Sequence, residues 1–328
     1  MTTNKTGVVL LNMGGPDSLD DIEPYLRNIF SDSAILDMPL GFLARPFLAP
    51  LIANKRAPKS AERYKLIGGK TPLNEIAQGQ AAALQKELSR RGASAYVKSG
   101  MRYWHPFTAN AVEEFAALGV GRVIGLSMYP QYCRPTSGSS LADFERHAKR
   151  HLPKAKRSVV SSWNRLPAYV NLMAARIDAA VNKLPEDERD SCCVLFSAHS
   201  VPQKLIDRGD PYQEQVIETY EAIKAQIKTE PRMKLAFQSA IGPVKWLEPD
   251  SVTAAESLAK EGFTTLITVP LGFVAENIET LWDIEIDLFE QAREFGFTSC
   301  RRIECPNDHP AFIAGLADLV EGALEESA

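Results

Sequence analysis

Ala117-Leu118-Gly119-Val120-Gly121-Arg122-Val123-Ile124 and Lys260-Glu261-Gly262-Phe263-Thr264-Thr265-Leu266-Ile267 follow one plan in the two halves of this chain. Each reads as a helix end, a glycine that reverses the backbone, and the start of a buried strand. The plan extends outward from both. Residues 7–12, 95–100 and 122–127 are largely apolar or small runs of strand length in the first half. Residues 193–197, 234–238 and 265–269 take the same places in the second. Helical stretches near 107–118 and 251–261 precede the third strand of each set. Strands that alternate with helices and have near-continuous apolar cores belong to parallel sheets covered on both faces. The repeat therefore predicts two similar α/β domains.

The expected fold is two Rossmann-like domains, each a parallel β-sheet flanked by helices, with an interdomain cleft. The first spans 1–165 and the second 166–305, and a C-terminal helix in 306–328 packs back on the first. Ligands of such sheets bind beyond the carboxyl ends of the strands, so the loops after the strands are where chemistry is expected. Composition narrows the classes further. A chain of 328 residues, 45% hydrophobic and 24% charged, is an ordinary soluble globular protein with room for two domains. A net charge of −4 gives no electrostatic footprint for nucleic acid. No apolar run is long enough to span a bilayer. The N-terminal Met-Thr-Thr-Asn-Lys-Thr lacks the pattern of a secretory leader, which points to the cytoplasm. The cysteines at 133, 192, 193, 300 and 305 are odd in number and form no CxxC pair, which suits buried thiols in a reducing compartment.

The strand ends carry the distinctive residues. The first strand runs into Met13-Gly14-Gly15-Pro16, whose two glycines lack the third spaced glycine of a dinucleotide site. The second ends in Met101-Arg102-Tyr103-Trp104, and the third in Met128-Tyr129-Pro130-Gln131-Tyr132. In the second half, Val194-Leu195-Phe196-Ser197-Ala198-His199-Ser200-Val201-Pro202 delivers one histidine to a loop tip. Histidine titrates nearest neutral pH, so His199 suits proton transfer or metal binding; the alternative is a loop histidine held for structure. Between the first two strands, residues 38–53 are apolar except for Arg45, and Lys55, Arg56 and Lys59 follow. Pro39, Pro46 and Pro50 predict that this stretch is not one long regular helix. It reads either as a lip that dips into an anionic membrane surface or closes on an apolar ligand, or as a helix pair packed on the core.

After the last strand of the repeat, a helix is expected from about 275 to 294. Its acids are Glu276, Glu279, Asp283, Glu285, Asp287, Glu290 and Glu294, against one internal base, Arg293. All but Glu285 are spaced three or four apart and share one face. Like charges so placed destabilise a helix, which suits a row of oxygen ligands for a passing cation; a solvated face is the alternative, above all at Glu290 and Glu294. No nucleophile elbow and no HExxH spacing is present. A histidine opposite carboxylates, beside apolar and aromatic residues, suits proton removal coupled to metal delivery into a flat organic ligand.

These motifs together resemble the ferrochelatase family, which inserts ferrous iron into a porphyrin. The resemblance covers nearly the whole chain. It is carried by Leu11-Asn12-Met13-Gly14-Gly15-Pro16, Arg102-Tyr103, Tyr129-Pro130-Gln131-Tyr132 with Gly138-Ser139-Ser140, and Ser197-Ala198-His199-Ser200-Val201-Pro202. Arg208-Gly209-Asp210-Pro211-Tyr212, Gln238-Ser239 with Gly242-Pro243 and Trp246, and Ile278-Glu279-Thr280-Leu281 continue it. The resemblance implies that His199 binds the metal or takes pyrrole protons and that Glu279 is its carboxylate partner. It implies a metal path through Asp283 and Asp287, and porphyrin contacts from Met13, Arg102, Tyr103, Tyr129 and Trp246. Protoporphyrin is the implied substrate; coproporphyrin, another tetrapyrrole or cobalt are alternatives within the class. A haem or metal carrier is the alternative outside it. Family members occur as monomers and as homodimers, and a peripheral membrane contact at 38–53 is implied.

Three departures from the animal members matter. Asn277 stands where those carry a histidine before Ile-Glu-Thr-Leu, so a proton or metal role there is not expected. The chain ends in Leu324-Glu325-Glu326-Ser327-Ala328 without a cysteine-rich tail, so no [2Fe–2S] cluster is expected. The 38–53 segment is also slightly longer than its animal counterpart.

Overall fold

A computed structural model describes residues 5–36, 41–240, 242 and 244–326. Residues 38–40 of the apolar segment and Pro243 lie outside the described residues. The chain forms two compact units, one of residues 1–162 with 307–328 and one of residues 163–306.

The first unit is built on β1 (Thr6–Asn12), β2 (Ala95–Met101), β3 (Arg122–Ser127) and β4 (Lys156–Val160). They lie in the order β2-β1-β3-β4, all parallel. The second unit repeats this with β5 (Cys192–His199), β6 (Arg232–Gln238), β7 (Thr265–Leu271) and β8 (Ser299–Arg302), in the order β6-β5-β7-β8. The sequence repeat is thus a repeat of topology, and each sheet is flanked by helices. In each unit the order reverses beside the first strand. A crevice for a ligand opens at such a switch point, at the carboxyl ends of β1 and β3 or of β5 and β7.

Burial explains the central strands. Every residue of β1 and of β7 is buried. Gly7 on β1 and Gly125 on β3 admit helices closely. A Cβ at Gly7 would stand 2.4 Å from the Phe115 ring, and one at Gly125 would stand 2.6 Å from Phe144. These rings join Val9, Leu11, Val112 and Val123 in the first core. Leu195, Ala254, Leu258, Leu266, Ile284, Leu288 and Phe289 make the second.

β4 and β8 are absent from the strands expected above. Both are edge strands. β4 is Lys-Arg-Ser-Val-Val and β8 is Ser-Cys-Arg-Arg, and neither has the apolar run of a strand covered on both faces. Charged side chains on an edge discourage pairing with other chains, and that requirement erased the apolar signal.

The expectation for 38–53 needs correction. Gly41–Leu66 is one helix that contains Pro46, Pro50 and Pro58. Each proline removes one i→i−4 bond, at about 3 kcal/mol in a helix interior. Pro46 and Pro58 face solvent, where water can take the freed carbonyls. Ala49 and Ala53, one turn apart and fully buried, pack on Phe30 and offset part of the loss.

The C-terminal helix Pro310–Glu326 packs on the helix Leu73–Arg90. Arg91, just past the latter's end, binds Asp318 at 2.6 Å and Glu321 at 2.7 Å.

Candidate functional site

β5 ends at His199, so the strand that forms the centre of the second sheet delivers this side chain to the carboxyl edge. The backbone there is held from both sides. His199 pairs in register with Gln238 on β6, and its carbonyl accepts a 2.8 Å hydrogen bond from the Tyr212 hydroxyl. The imidazole Nδ1 lies 3.2 Å from Oε2 of Glu279. That contact is close without the alignment of a hydrogen bond, and Nδ1 has no other partner. Burial works against a charged imidazole, but the charges of Glu279 and Asp283 outweigh it and raise the His199 pKa above its ordinary value. The two side chains remain 38% and 30% exposed, enough for a ligand to reach them.

Glu279 opens a helix that is not the α-helix expected over 275–294. Glu279–Leu288 is a π-helix, and Phe289–Glu294 continues it as α. π turns carry i→i+5 bonds and occur mostly as single turns at functional sites. Here the Phe289 amide donates to the Ile284 carbonyl. The start of this helix is capped by Asn277, whose Oδ1 accepts from the Glu279 amide at 2.7 Å and the Thr280 amide at 3.3 Å. That gives Asn277 a structural role at the position where animal members carry histidine.

The acidic row also needs correction. Glu276 is not part of it. Its Oε1 accepts from Arg302 at 2.9 Å and from the Cys305 amide at 2.8 Å, and its Oε2 accepts from the Thr280 hydroxyl at 2.6 Å. Glu285 is also paired with Arg302, at 2.9 Å. The helix is therefore relieved by a base from β8, which the sequence reading missed because β8 was not recognised. Glu290 and Glu294 are exposed. Glu279, Asp283 and Asp287 remain, at four-residue steps.

Asp283 is oriented by Ser239, whose hydroxyl donates to its Oδ2 at 2.5 Å. Ser239 has φ of 67°, a left-handed conformation that costs a non-glycine residue roughly 1–3 kcal/mol. Gln238 links the strand edge to the π-helix. Its Oε1 accepts from Ser197 at 2.6 Å, and its amide donates to the Glu279 carbonyl at 3.4 Å. Trp246 sits in the same neighbourhood, in an antiparallel bridge with Pro202 just beyond His199. Among the described residues no three His, Cys, Asp or Glu side chains converge as a closed metal-binding group. Glu279, Asp283 and Asp287 form an open row rather than a cage.

The first unit holds the other residues singled out above. Met13 packs beside Tyr25, Tyr103 and Trp104. Tyr129 follows β3, its amide bonded to the Ser127 hydroxyl at 3.3 Å. Arg102 and Tyr103 follow β2, and both turn to Asp32, which the sequence reading did not name. Arg102 Nη2 and the Tyr103 hydroxyl each donate to Asp32 Oδ2 at 2.8 Å, and Ser139 joins them on the same oxygen. Burial raises the Asp32 pKa, but the Ser139 hydroxyl, the Ala34 amide, the Arg102 charge and the Tyr103 hydroxyl prevail and hold it below its ordinary value. A polar cavity of about 390 Å³ opens beside this cluster, lined by Asn28, Ser31, Arg102 and Asp143 among others. Asp32 lies 70 residues from Arg102 in sequence, so no local pattern could reveal the pairing.

Comparison with known proteins identifies the family. The Ferrochelatase family profile matches residues 5–324. A protein of Synechococcus elongatus named ferrochelatase is 43% identical over 325 residues, 98% of this chain and 83% of that one. Its namesake in Gloeobacter violaceus is 41% identical over 96% of this chain and 97% of its own. The solved structure of SirB from Bacillus subtilis with Fe3+ is similar in fold, with a TM-score of 0.54 at 14% identity over 76% of this chain and 91% of that one.

Proposed function

The chain belongs to the ferrochelatase family, and on that premise we propose that it inserts Fe²⁺ into protoporphyrin IX, with His199 and Glu279 as the reacting pair. The observation that carries this assignment is the His199–Glu279 contact at 3.2 Å, continued by Asp283 one step along the π-helix. Two pyrrole N–H protons must leave as the metal enters, so a base is needed at the macrocycle. A neutral His199 supplies a lone pair that can take a proton or bind the incoming iron. Glu279 stabilises the imidazolium that forms. Asp283 and Asp287 offer hard oxygen ligands that hand Fe²⁺ forward without trapping it. Iron is substrate here. Met13, Arg102, Tyr103, Tyr129 and Trp246 contact the porphyrin in this reading.

We propose no iron–sulfur cluster, because Cys300 and Cys305 alone cannot supply four thiolates. Burial pushes the Cys192 thiol up to about 11 and pushes Cys193 and Cys305 up as well, as befits thiols packed in the core. We propose that the enzyme works without a cluster, in the cytoplasm, as a monomer or homodimer.

A peripheral membrane contact is part of the proposal. Leu43, Phe47 and Leu51 lie one turn apart on the helix Gly41–Leu66 and are 59%, 79% and 64% exposed. Lys55, Arg56 and Lys59 extend the same helix. An apolar stripe beside basic residues suits an anionic bilayer surface. Among the described residues no helix is long and apolar enough to cross one. Phe47→Glu should abolish co-sedimentation with vesicles of anionic lipid, and undiminished binding would remove the membrane from the proposal.

The test of function is an insertion assay with Fe²⁺ on protoporphyrin and on the four-carboxylate coproporphyrin. The apolar stripe favours the less charged substrate. Faster turnover on coproporphyrin would shift the assignment to a coproporphyrin ferrochelatase.

A further inference from the structure

The π-helix Glu279–Leu288 is 10 residues long, although π turns are mostly single. Something must favour it over the α-helix that the same residues can form. Arg302 on β8 is placed to do so. Its side chain is 6% exposed and makes three bonds: Nη1 to Glu276 at 2.9 Å, Nε to Glu285 at 2.9 Å, and Nη1 to the Ile303 carbonyl at 3.1 Å. Glu276 in turn accepts from Thr280 at 2.6 Å. One guanidinium therefore draws Thr280, through Glu276, and Glu285 to the same side.

Thr280 and Glu285 are five residues apart. In an α-helix five residues turn through roughly 500°, which leaves the two side chains about 140° apart around the axis. With i→i+5 bonding a turn takes about 4.4 residues, so five residues turn through roughly 410° and the two side chains come within about 50° of each other. A single Arg302 therefore holds both more readily in the π register than in the α register. We propose that Arg302 is the register-setting residue of the π-helix, and through it a positioning residue for Glu279 and Asp283.

The consequence for the site follows from spacing. A four-residue step is offset by about −30° in the π register and by about +40° in an α-helix, so a change of register turns Asp283 and Asp287 relative to Glu279 on the face opposite the buried Ile284 and Leu288. The kinetic part of this inference rests on the reading of these three carboxylates as a metal path; the register itself does not.

Two variants test it. Glu285→Ala cuts the five-residue tie at a side chain that is 41% exposed, so the fold should survive. Arg302→Gln removes the staple entirely, with thermal melting as the check on folding. Crystal structures of the variants should show residues 279–288 returning to i→i+4 bonding. The KM for Fe²⁺ should rise by roughly 10–100-fold, as when a partner that orients metal ligands is lost, while the KM for porphyrin stays within about twofold. Retention of the i→i+5 bonds in Glu285→Ala overturns the proposal, whatever Arg302→Gln does. A lost π register with unchanged iron kinetics upholds the role of Arg302 and instead overturns the metal-path reading.

Discussion

His199 and Glu279 meet at 3.2 Å, and the contact joins the last residue of β5 to the first residue of the π-helix. Two elements far apart in sequence thus converge on one site.

The contact fixes the sign of a pH effect. Burial disfavours the imidazolium, but Glu279 and Asp283 raise the His199 pKa above 6.5. A base must be neutral, so the rate of insertion should climb with pH through a midpoint above 6.5. Glu279→Gln removes the neighbouring charge and should move that midpoint down. The pH profile of kcat/KM for both proteins checks this. Linkage gives the matching stability effect: protonated His199 supports folding below pH 6.5, and that support is lost as pH rises through the raised pKa.

Ser239→Ala removes the 2.5 Å hydrogen bond that orients Asp283. A net hydrogen bond contributes about 0.5–1.5 kcal/mol, so kcat/KM for Fe²⁺ should fall by about two- to tenfold. The KM for porphyrin should not move. Steady-state kinetics with each substrate varied in turn separates the two.

The parts of this account that were legible in the sequence share a physical cause. β1, β3, β5 and β7 are buried on both faces, so they carry unbroken apolar runs, and the glycines at 119 and 262 mark the turns before β3 and β7. His199 stood out because it follows such a run. What was hidden depends on long-range partners. Asp32 is identified only by Arg102, Tyr103 and Ser139 converging on it, and Arg302 only by Glu276 and Glu285. The π-helix was read as α because its apolar and acidic residues recur at three- and four-residue steps, which satisfy both helices. The prolines at 46 and 50 misled because propensity is local, whereas the packing of Ala49 and Ala53 on Phe30 is not.

Asp32→Asn should test the cluster in the first unit. The carboxylate accepts from Arg102, Tyr103 and Ser139, and its loss should destabilise the fold by roughly 1–3 kcal/mol in urea denaturation at pH 7. The wild-type carboxyl is held below 3.8, so its contribution persists above that pH and is lost as pH falls through the lowered value. The variant should lack that part of the acid dependence.

Gly125→Ala sets a Cβ 2.6 Å from the Phe144 ring. Overpacking of this kind costs typically about 1–3 kcal/mol. Pairing it with Phe144→Leu should recover part of the loss, measured by thermal melting.

The central claim is that His199 and Glu279 act as one unit on the entering iron. The direct measurement is the single-turnover rate of Fe²⁺ insertion for His199→Ala, Glu279→Gln and the double variant, with porphyrin bound beforehand. Each single change should slow insertion by about 10²- to 10⁴-fold, and the double variant should be little slower than the worse single one. A His199→Ala protein that inserts iron at the wild-type rate, or losses that multiply in the double variant, would contradict the claim.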